Sequence, residues 1–86
     1  MVFKEVMAID YSQLFSDIEW LNLKDTKLLV GERPVKIFIN TEPYHYTLEI
    51  YLSEICIFDK KVDDMVHLDV LKRFLICLFN VEEMIV

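Results

Sequence analysis

Apolar and polar residues alternate in the middle of the chain, and apolar residues recur at helical spacing on either side of it. The clearest alternation lies in residues 45–52. Its apolar positions are Tyr46, Leu48, Ile50 and Leu52, and its more polar positions are His45, Thr47, Glu49 and Tyr51. A period of two predicts a half-buried antiparallel strand with one face toward a core and one wetter face.

Further strands are predicted on both sides of this segment. Residues 35–40 are mostly β-branched and aromatic, and turn-forming residues flank them at 31–34 and 40–43. Residues 28–30 are expected to form a short strand. Residues 54–58 continue as strand, either after a tight turn or as a bulged extension, and both alternatives stay open. The charged residues 59–61 end the strand pattern.

Two helices are predicted around the strands. Residues 11–22 carry apolar side chains at helical spacing, and Asp10 followed by Gln13 has the spacing of a capping box. Residues 23–27 then form a polar connector. Residues 65–80 form a second helix, with Asp63 and Asp64 at its N-terminus, where negative charge is favoured. Residues 2–9 form a short strand or a helical arm, and residues 81–86 fray, extend the helix or add an edge strand.

The expected fold is a small α+β domain spanning residues 1–86, with no linker. Its order is helix, antiparallel β-meander of three or four strands, helix, with both helices on one face of the sheet. The opposite face, which includes Thr47, Glu49 and Tyr51, is expected to face water or a partner.

Composition excludes several classes of enzyme. Gly31 is the only glycine among 86 residues, and Pro34 and Pro43 are the only prolines. A phosphate-binding loop needs several glycines, and a nucleophile elbow needs small residues around its serine. Neither motif can be built from this chain.

Charge and hydrophobicity both indicate a protein partner. The net charge of −6 repels nucleic acid and anionic membranes, and it favours a basic protein surface. The longest apolar run, residues 74–79, is far shorter than the ~20 residues of a membrane span. Because 55% of so small a chain is hydrophobic, some apolar surface is expected to remain outside the core. We therefore predict a homo-oligomer, a protein partner, or both, with no nucleic-acid or membrane binding.

No catalytic, metal or cofactor site is predicted. Cys56 and His45 lie on neighbouring strand segments, but Cys56 would be in phase with Tyr46 if the strand were unbroken, which makes it a core thiol. Cys56 and Cys77 are both expected to be reduced core residues of a cytoplasmic protein.

The remaining candidates for chemistry each have a simpler structural interpretation. Asp63, Asp64 and His67 lack the further ligands that a metal needs. Glu49 and Glu54 could be a general acid and base, but Glu49 lies on the polar face of its strand and is interpreted as a solvated carboxylate.

The predicted function is a non-enzymatic, acidic protein-binding module. The expected interface residues are Trp20, Tyr44, Tyr51, Glu49, Asp63 and Asp64. Residues with GC-rich codons are scarce, which favours an AT-rich source and a phage-encoded inhibitor of a host or defence protein. One alternative is a homo-oligomeric structural or accessory subunit. Another is a DNA mimic, for which the nearest acidic cluster is Asp59, Asp63, Asp64 and Asp69.

Overall fold

The computed structural model describes residues 15–86, which fold into two helices and one four-stranded sheet. The elements in chain order are α1 (Asp17–Val30), β1 (Val35–Thr41), β2 (His45–Leu52), β3 (Ile55–Asp63), α2 (Leu68–Leu78) and β4 (Val81–Ile85). The predicted α+β class, with a meander between two helices, is confirmed. The predictions for residues 2–9 and for the capping pair Asp10 and Gln13 lie outside the described residues.

The sheet has the strand order β3-β2-β1-β4. β2 pairs antiparallel with both β1 and β3, whereas β4 lies parallel to β1 and makes the sheet mixed. The edge-strand alternative for residues 81–86 is therefore the one that the structure adopts. Asn80 fixes the start of β4, because its carbonyl accepts from the Val35 N–H at 2.9 Å and its side-chain amide donates to the Glu32 carbonyl at 3.0 Å.

The core lies on one face of the sheet. The inward-facing side chains of the two central strands are almost completely inaccessible, and the helices add Leu23 and Val30 from α1 and Leu71, Phe74 and Leu75 from α2. The strand residues are Val35, Ile37, Ile39, Tyr46, Leu48 and Ile50. The predicted alternation in β2 is confirmed, and both helices cover this one face.

Helix α1 lies later in the chain than predicted. The predicted helix over residues 11–22 is confirmed for residues 17–22 and wrong for residues 15 and 16, while residues 11–14 lie outside the described residues. The connector over 23–27 and the strand over 28–30 are wrong, because one helix runs from Asp17 to Val30. Its start is set by Ser16, whose hydroxyl accepts from the Glu19 N–H at 3.4 Å. Leu23, Thr26 and Val30 then recur on one side of the helix and pack onto the sheet.

The region after β2 also differs from expectation. Residues 53 and 54 form a tight turn, so β3 is a separate strand, and it continues through residues 59–61, where an end was predicted. Charged residues are tolerated there because β3 is an edge strand with exposed positions.

The residues before α2 form a turn rather than the start of a helix. Asp63 ends β3, and its carboxylate accepts from the Met65 N–H at 2.9 Å. Helix α2 begins only at Leu68, after the cap residue His67, and it ends at Leu78. The predicted helix over residues 65–80 is therefore too long at both ends, and Asp63 and Asp64 do not lie at its N-terminus.

Gly31 stands at the position that most needs glycine. It ends α1 with φ +61° and ψ −127°, and its N–H donates to the Lys27 carbonyl at 2.9 Å. L-residues rarely adopt this backbone conformation. Because a Cβ at Gly31 would meet no atom within 4 Å, the cost of a larger residue comes from the backbone alone.

We expect Gly31→Ala to lower the free energy of unfolding by about 1–2 kcal/mol, because L-alanine is strained at positive φ. Urea denaturation measures the change. The control is D-alanine at the same position in a chemically synthesised chain, which adds the same methyl group and favours positive φ. The D-alanine protein should be at least as stable as the glycine protein. Equal losses for both alanines would show that the methyl group, and not the backbone angle, is responsible.

Candidate functional site

The side of the sheet away from the helices is called the open face here. It carries alternate residues of the three meander strands, with one extra residue in β3 between Cys56 and Asp59, where the register shifts. These residues are Lys36, Phe38 and Asn40 of β1, His45, Thr47, Glu49 and Tyr51 of β2, and Cys56, Asp59, Lys61 and Asp63 of β3. Both described helices pack on the other side, so no helix of residues 15–86 covers this one.

A shallow depression of about 370 Å³ lies on the open face between β1, β2 and the β2–β3 turn. Its lining residues are Lys36, Phe38, Asn40, Glu49, Tyr51, Ser53 and Glu54. The rings of Phe38 and Tyr51 meet edge to face, with centroids 5.3 Å apart and planes at 83°. The Tyr51 hydroxyl donates to Glu49 Oε1 at 2.7 Å. The two aromatic rings and one carboxylate are thus held in a fixed arrangement.

The hydrogen bond to Glu49 is the main reason that the pKa of Tyr51 is raised to about 12. Partial desolvation and the negative charge of Glu49 act in the same direction, and the neighbouring Cys56 thiol adds to them. Tyr51 therefore stays a neutral hydrogen-bond donor at any physiological pH. Glu49 keeps an oxygen free to accept from a bound group.

The depression carries more acid than base. Glu49 and Glu54 contribute two carboxylates against the single ammonium of Lys36. Asp59 lies directly opposite Glu49 on β3, and like charges in that position repel each other. Within residues 15–86, the ion pair joins Lys27 to Glu32 at 3.2 Å, away from the open face. The negative charge of the depression is therefore not neutralised by an ion pair in the described part of the chain.

The turn beside the depression is strained. Ser53 has φ +57°, which is uncommon for a residue with a side chain and costs about 1–2 kcal/mol. Such strain is concentrated at functional sites. The turn places Glu54 at the rim of the depression, next to Ser53.

Only two of the six predicted interface residues, Glu49 and Tyr51, meet in the depression. Asp63 lies on the open face at the opposite end of β2, paired with His45. Tyr44 is 86% exposed in the turn at that same end. Asp64 lies in the turn before α2, where burial of the Tyr46 phenol and its hydrogen bond to Asp64 raise the pKa of Tyr46.

Trp20 belongs to the helical layer instead. Its ring lies 5.2 Å from that of Phe74, and the Lys24 ammonium lies 5.4 Å from its centroid. Trp20 thus joins the two helices on the side of the sheet opposite to Glu49 and Tyr51.

The prediction that both cysteines lie in the core is wrong. Cys56 and Cys77 are both exposed. The turn at Ser53 reverses the chain, and a register shift in β3 then places Cys56 opposite Tyr51 on the open face. His45 and Cys56 lie toward opposite ends of the β2–β3 ladder, so the structure does not bring them together.

Phe38 is the site residue that the sequence analysis did not single out. The alternation of residues along β1 could have identified it. Val35, Ile37 and Ile39 are apolar and face the core. Phe38 therefore lies on the opposite face, with Lys36 and Asn40. An aromatic residue out of phase with its strand's apolar residues marks an uncovered apolar spot.

Comparisons with protein-family models, with curated proteins and with solved structures find no match for this chain. Within residues 15–86, no three or more His, Cys, Asp or Glu side chains are grouped as metal ligands. The helices of the same residues are too short or too polar to cross a membrane. The open face is therefore the feature of the described residues from which a function can be inferred.

We expect Glu49→Gln to lower the pKa of Tyr51 from about 12 toward its ordinary value of 10. The raised pKa stabilises the folded protein fully below pH 10, and this contribution is lost as the pH rises from 10 to about 12. Glutamine keeps an acceptor oxygen but removes the charge. An NMR titration of the tyrosine Cζ signals measures the shift. Asp63→Asn, at the far end of the face, should leave the pKa of Tyr51 unchanged, and an equal shift in both variants would contradict the local cause.

Proposed function

We propose that this chain is a non-enzymatic protein-binding module that receives a basic segment of its partner on the open face. The observation that carries the proposal is the depression, in which two carboxylates, against one ammonium, stand beside a fixed aromatic pair. A lysine or arginine side chain of the partner would occupy it.

The chemistry of the depression suits a cation with an apolar stem. A guanidinium or ammonium group would donate to the carboxylates of Glu49 and Glu54, and such charge-assisted hydrogen bonds are among the stronger ones in proteins. The Phe38 ring offers apolar contact to the stem and a cation–π surface to the head. Because the Tyr51 hydroxyl already orients Glu49, little side-chain entropy is lost on binding.

The charge of the whole chain supports the same class of partner. A net charge of −6 attracts a basic surface over a distance and speeds the encounter, while the local contacts set affinity. The arrangement gives less support to DNA mimicry, since Lys61 lies between Asp59 and Asp63 on the open face and interrupts the row of acids.

In this proposal the module acts as a cytoplasmic inhibitor that covers a basic functional surface of its target. The scarcity of residues with GC-rich codons supports a phage gene, and a host or defence protein that binds nucleic acid would present the required basic surface.

Replacing both carboxylates of the depression should abolish tight binding. The partner is first captured on tagged protein and identified by mass spectrometry, and its affinity is then measured by calorimetry with purified components. We expect Glu49→Gln/Glu54→Gln to weaken binding about a hundredfold, which is about 2.7 kcal/mol, because two charge-assisted hydrogen bonds lose their charge.

The matched control is Glu42→Gln/Glu82→Gln, which removes the same charge from exposed positions outside the depression. It should bind within a few-fold of the wild type. Equal losses in the two double variants would mean that only net charge matters. Unchanged affinity in the first would remove the depression from the interface.

A further inference from the structure

The open face continues onto β4, beyond the three strands of the meander. Met84 packs against the core, so its neighbours Glu83 and Ile85 project from the opposite side of the sheet. There they lie beside Lys36 and Phe38, their partners on β1. Ile85 is 45% exposed, and Phe38 is half-buried. The apolar part of the open face therefore extends from Phe38 to the outer strand.

Strand register places four residues in one row across the open face. Asp59 of β3 lies opposite Glu49 of β2, and Glu49 lies opposite Phe38 of β1. Phe38 in turn lies opposite Ile85 of β4. This set of Asp59, Glu49, Phe38 and Ile85 is called the cross-strand row. It passes over the depression, because Glu49 and Phe38 line it. The row changes from acidic on β3 and β2 to apolar on β1 and β4.

Glu83 reinforces this division of charge. It lies directly opposite Lys36, the basic residue that lines the depression. Opposite charges at facing positions on neighbouring strands attract each other. Glu83 therefore offsets the positive charge of Lys36, and the carboxylates of Glu49 and Glu54 remain as the groups that attract a cation.

We propose that the basic segment of the partner crosses the strands along the cross-strand row in an extended conformation and carries an apolar residue two positions from its basic residue. This inference rests on the proposed function, because it takes the depression as the site of the basic side chain. The apolar side chain would cover Ile85 and the exposed side of Phe38. Burial of apolar area is the dominant favourable term in most protein association.

The spacing of two follows from the dimensions of a sheet. Neighbouring strands are about 4.8 Å apart, so Ile85 on β4 lies about 7 Å from the middle of a depression centred between β1 and β2. Alternate residues of an extended segment are also about 7 Å apart, and their side chains point the same way. A basic side chain over Glu49 and Glu54 thus places the second residue along the segment over Ile85.

The residues on either side of the row favour an extended segment over a helix. Lys36 and Asn40 flank Phe38 on the same face of β1. A segment that crosses at Phe38 runs between them. The amide of Asn40 can donate and accept, and the ammonium of Lys36 can donate, so both can pair with free backbone groups. An extended segment has such groups to offer, whereas a helix satisfies most of its own.

The test is an NMR titration of the full chain with short threonine-based peptides that are blocked at both ends. The reference peptide has one arginine. Two further peptides add a leucine two positions before or after the arginine, and two more add it at the adjacent position or four positions away. We expect a leucine at a spacing of two to tighten binding about tenfold in at least one order. The adjacent leucine points away from the sheet, and the distant one passes beyond β4, so neither should add affinity.

A variant of β4 tests where the leucine binds. Ile85→Thr should remove the gain from the leucine and leave the affinity of the reference peptide within about twofold, because the carboxylates are unchanged. The matched control is Ile55→Thr, which makes the same change at an exposed isoleucine of the other edge strand. Ile55 pairs with Leu52, which packs against the core, so Ile55 projects from the other side of the sheet. This control should keep the gain, and the amide spectra show whether both variants fold.

Glu49→Gln/Glu54→Gln separates this inference from the function on which it rests. It should weaken the reference peptide and the leucine peptides by the same factor. If it does so but the leucine adds nothing at a spacing of two, the cross-strand row is not the path of the segment, although the depression still binds the cation.

Other results would also overturn the inference. A gain that persists in Ile85→Thr would place the leucine elsewhere. An equal gain at the adjacent position would contradict an extended segment. Binding of none of the peptides would reject the inference together with the proposed function.

Discussion

Burial of a single face of the sheet is the constraint on which the rest of this structure depends. The inward residues of β1 and β2 are almost fully buried, and α1 and α2 are both needed to cover them. No helix of the described residues packs on the other face. That face is therefore exposed to solvent, and its side chains are accordingly polar, charged or aromatic.

The same constraint makes the open face a good platform for recognition. Its side chains stand on strands whose other face is fixed in a close-packed core, so their backbone positions vary little. Phe38 and Glu49 lie directly opposite each other on β1 and β2, and Tyr51 lies two residues from Glu49 on the same face. The depression is thus a product of strand register, and the turn at Ser53 closes one end of it.

The sequence was informative wherever structure is set by alternation over short range. The period of two in residues 45–52 identified β2, its buried side chains and the polar face that holds Glu49 and Tyr51. It was less informative about helix boundaries. Ser16 and Glu19 have the same capping-box spacing as Asp10 and Gln13, so spacing alone does not identify the start of the helix. The apolar run at residues 28–30 resembles a strand in the sequence, because Leu28 and Leu29 are apolar although they are exposed in the helix.

Features that depend on distant parts of the chain could not be predicted. The parallel pairing of β4 with β1 joins residues that are far apart in sequence, and it depends on contacts of Asn80 with Val35 and Glu32. The exposure of Cys56 depends on where the β2–β3 turn falls and on the register shift that follows it. A pattern of apolar residues does not encode either feature.

The exposed residues of this domain fall into two groups of different chemistry. The outer side of α1 and the start of β3 expose aliphatic side chains, among them Ile18, Leu29 and Ile55. The depression combines aromatic rings with an excess of acid, as suits a partner of opposite charge. Because the open face and the β3 edge are at right angles to each other, a contact at one does not cover the other. A chain that is 55% hydrophobic and carries a net charge of −6 thus exposes most of its aliphatic side chains at places separate from the acidic depression.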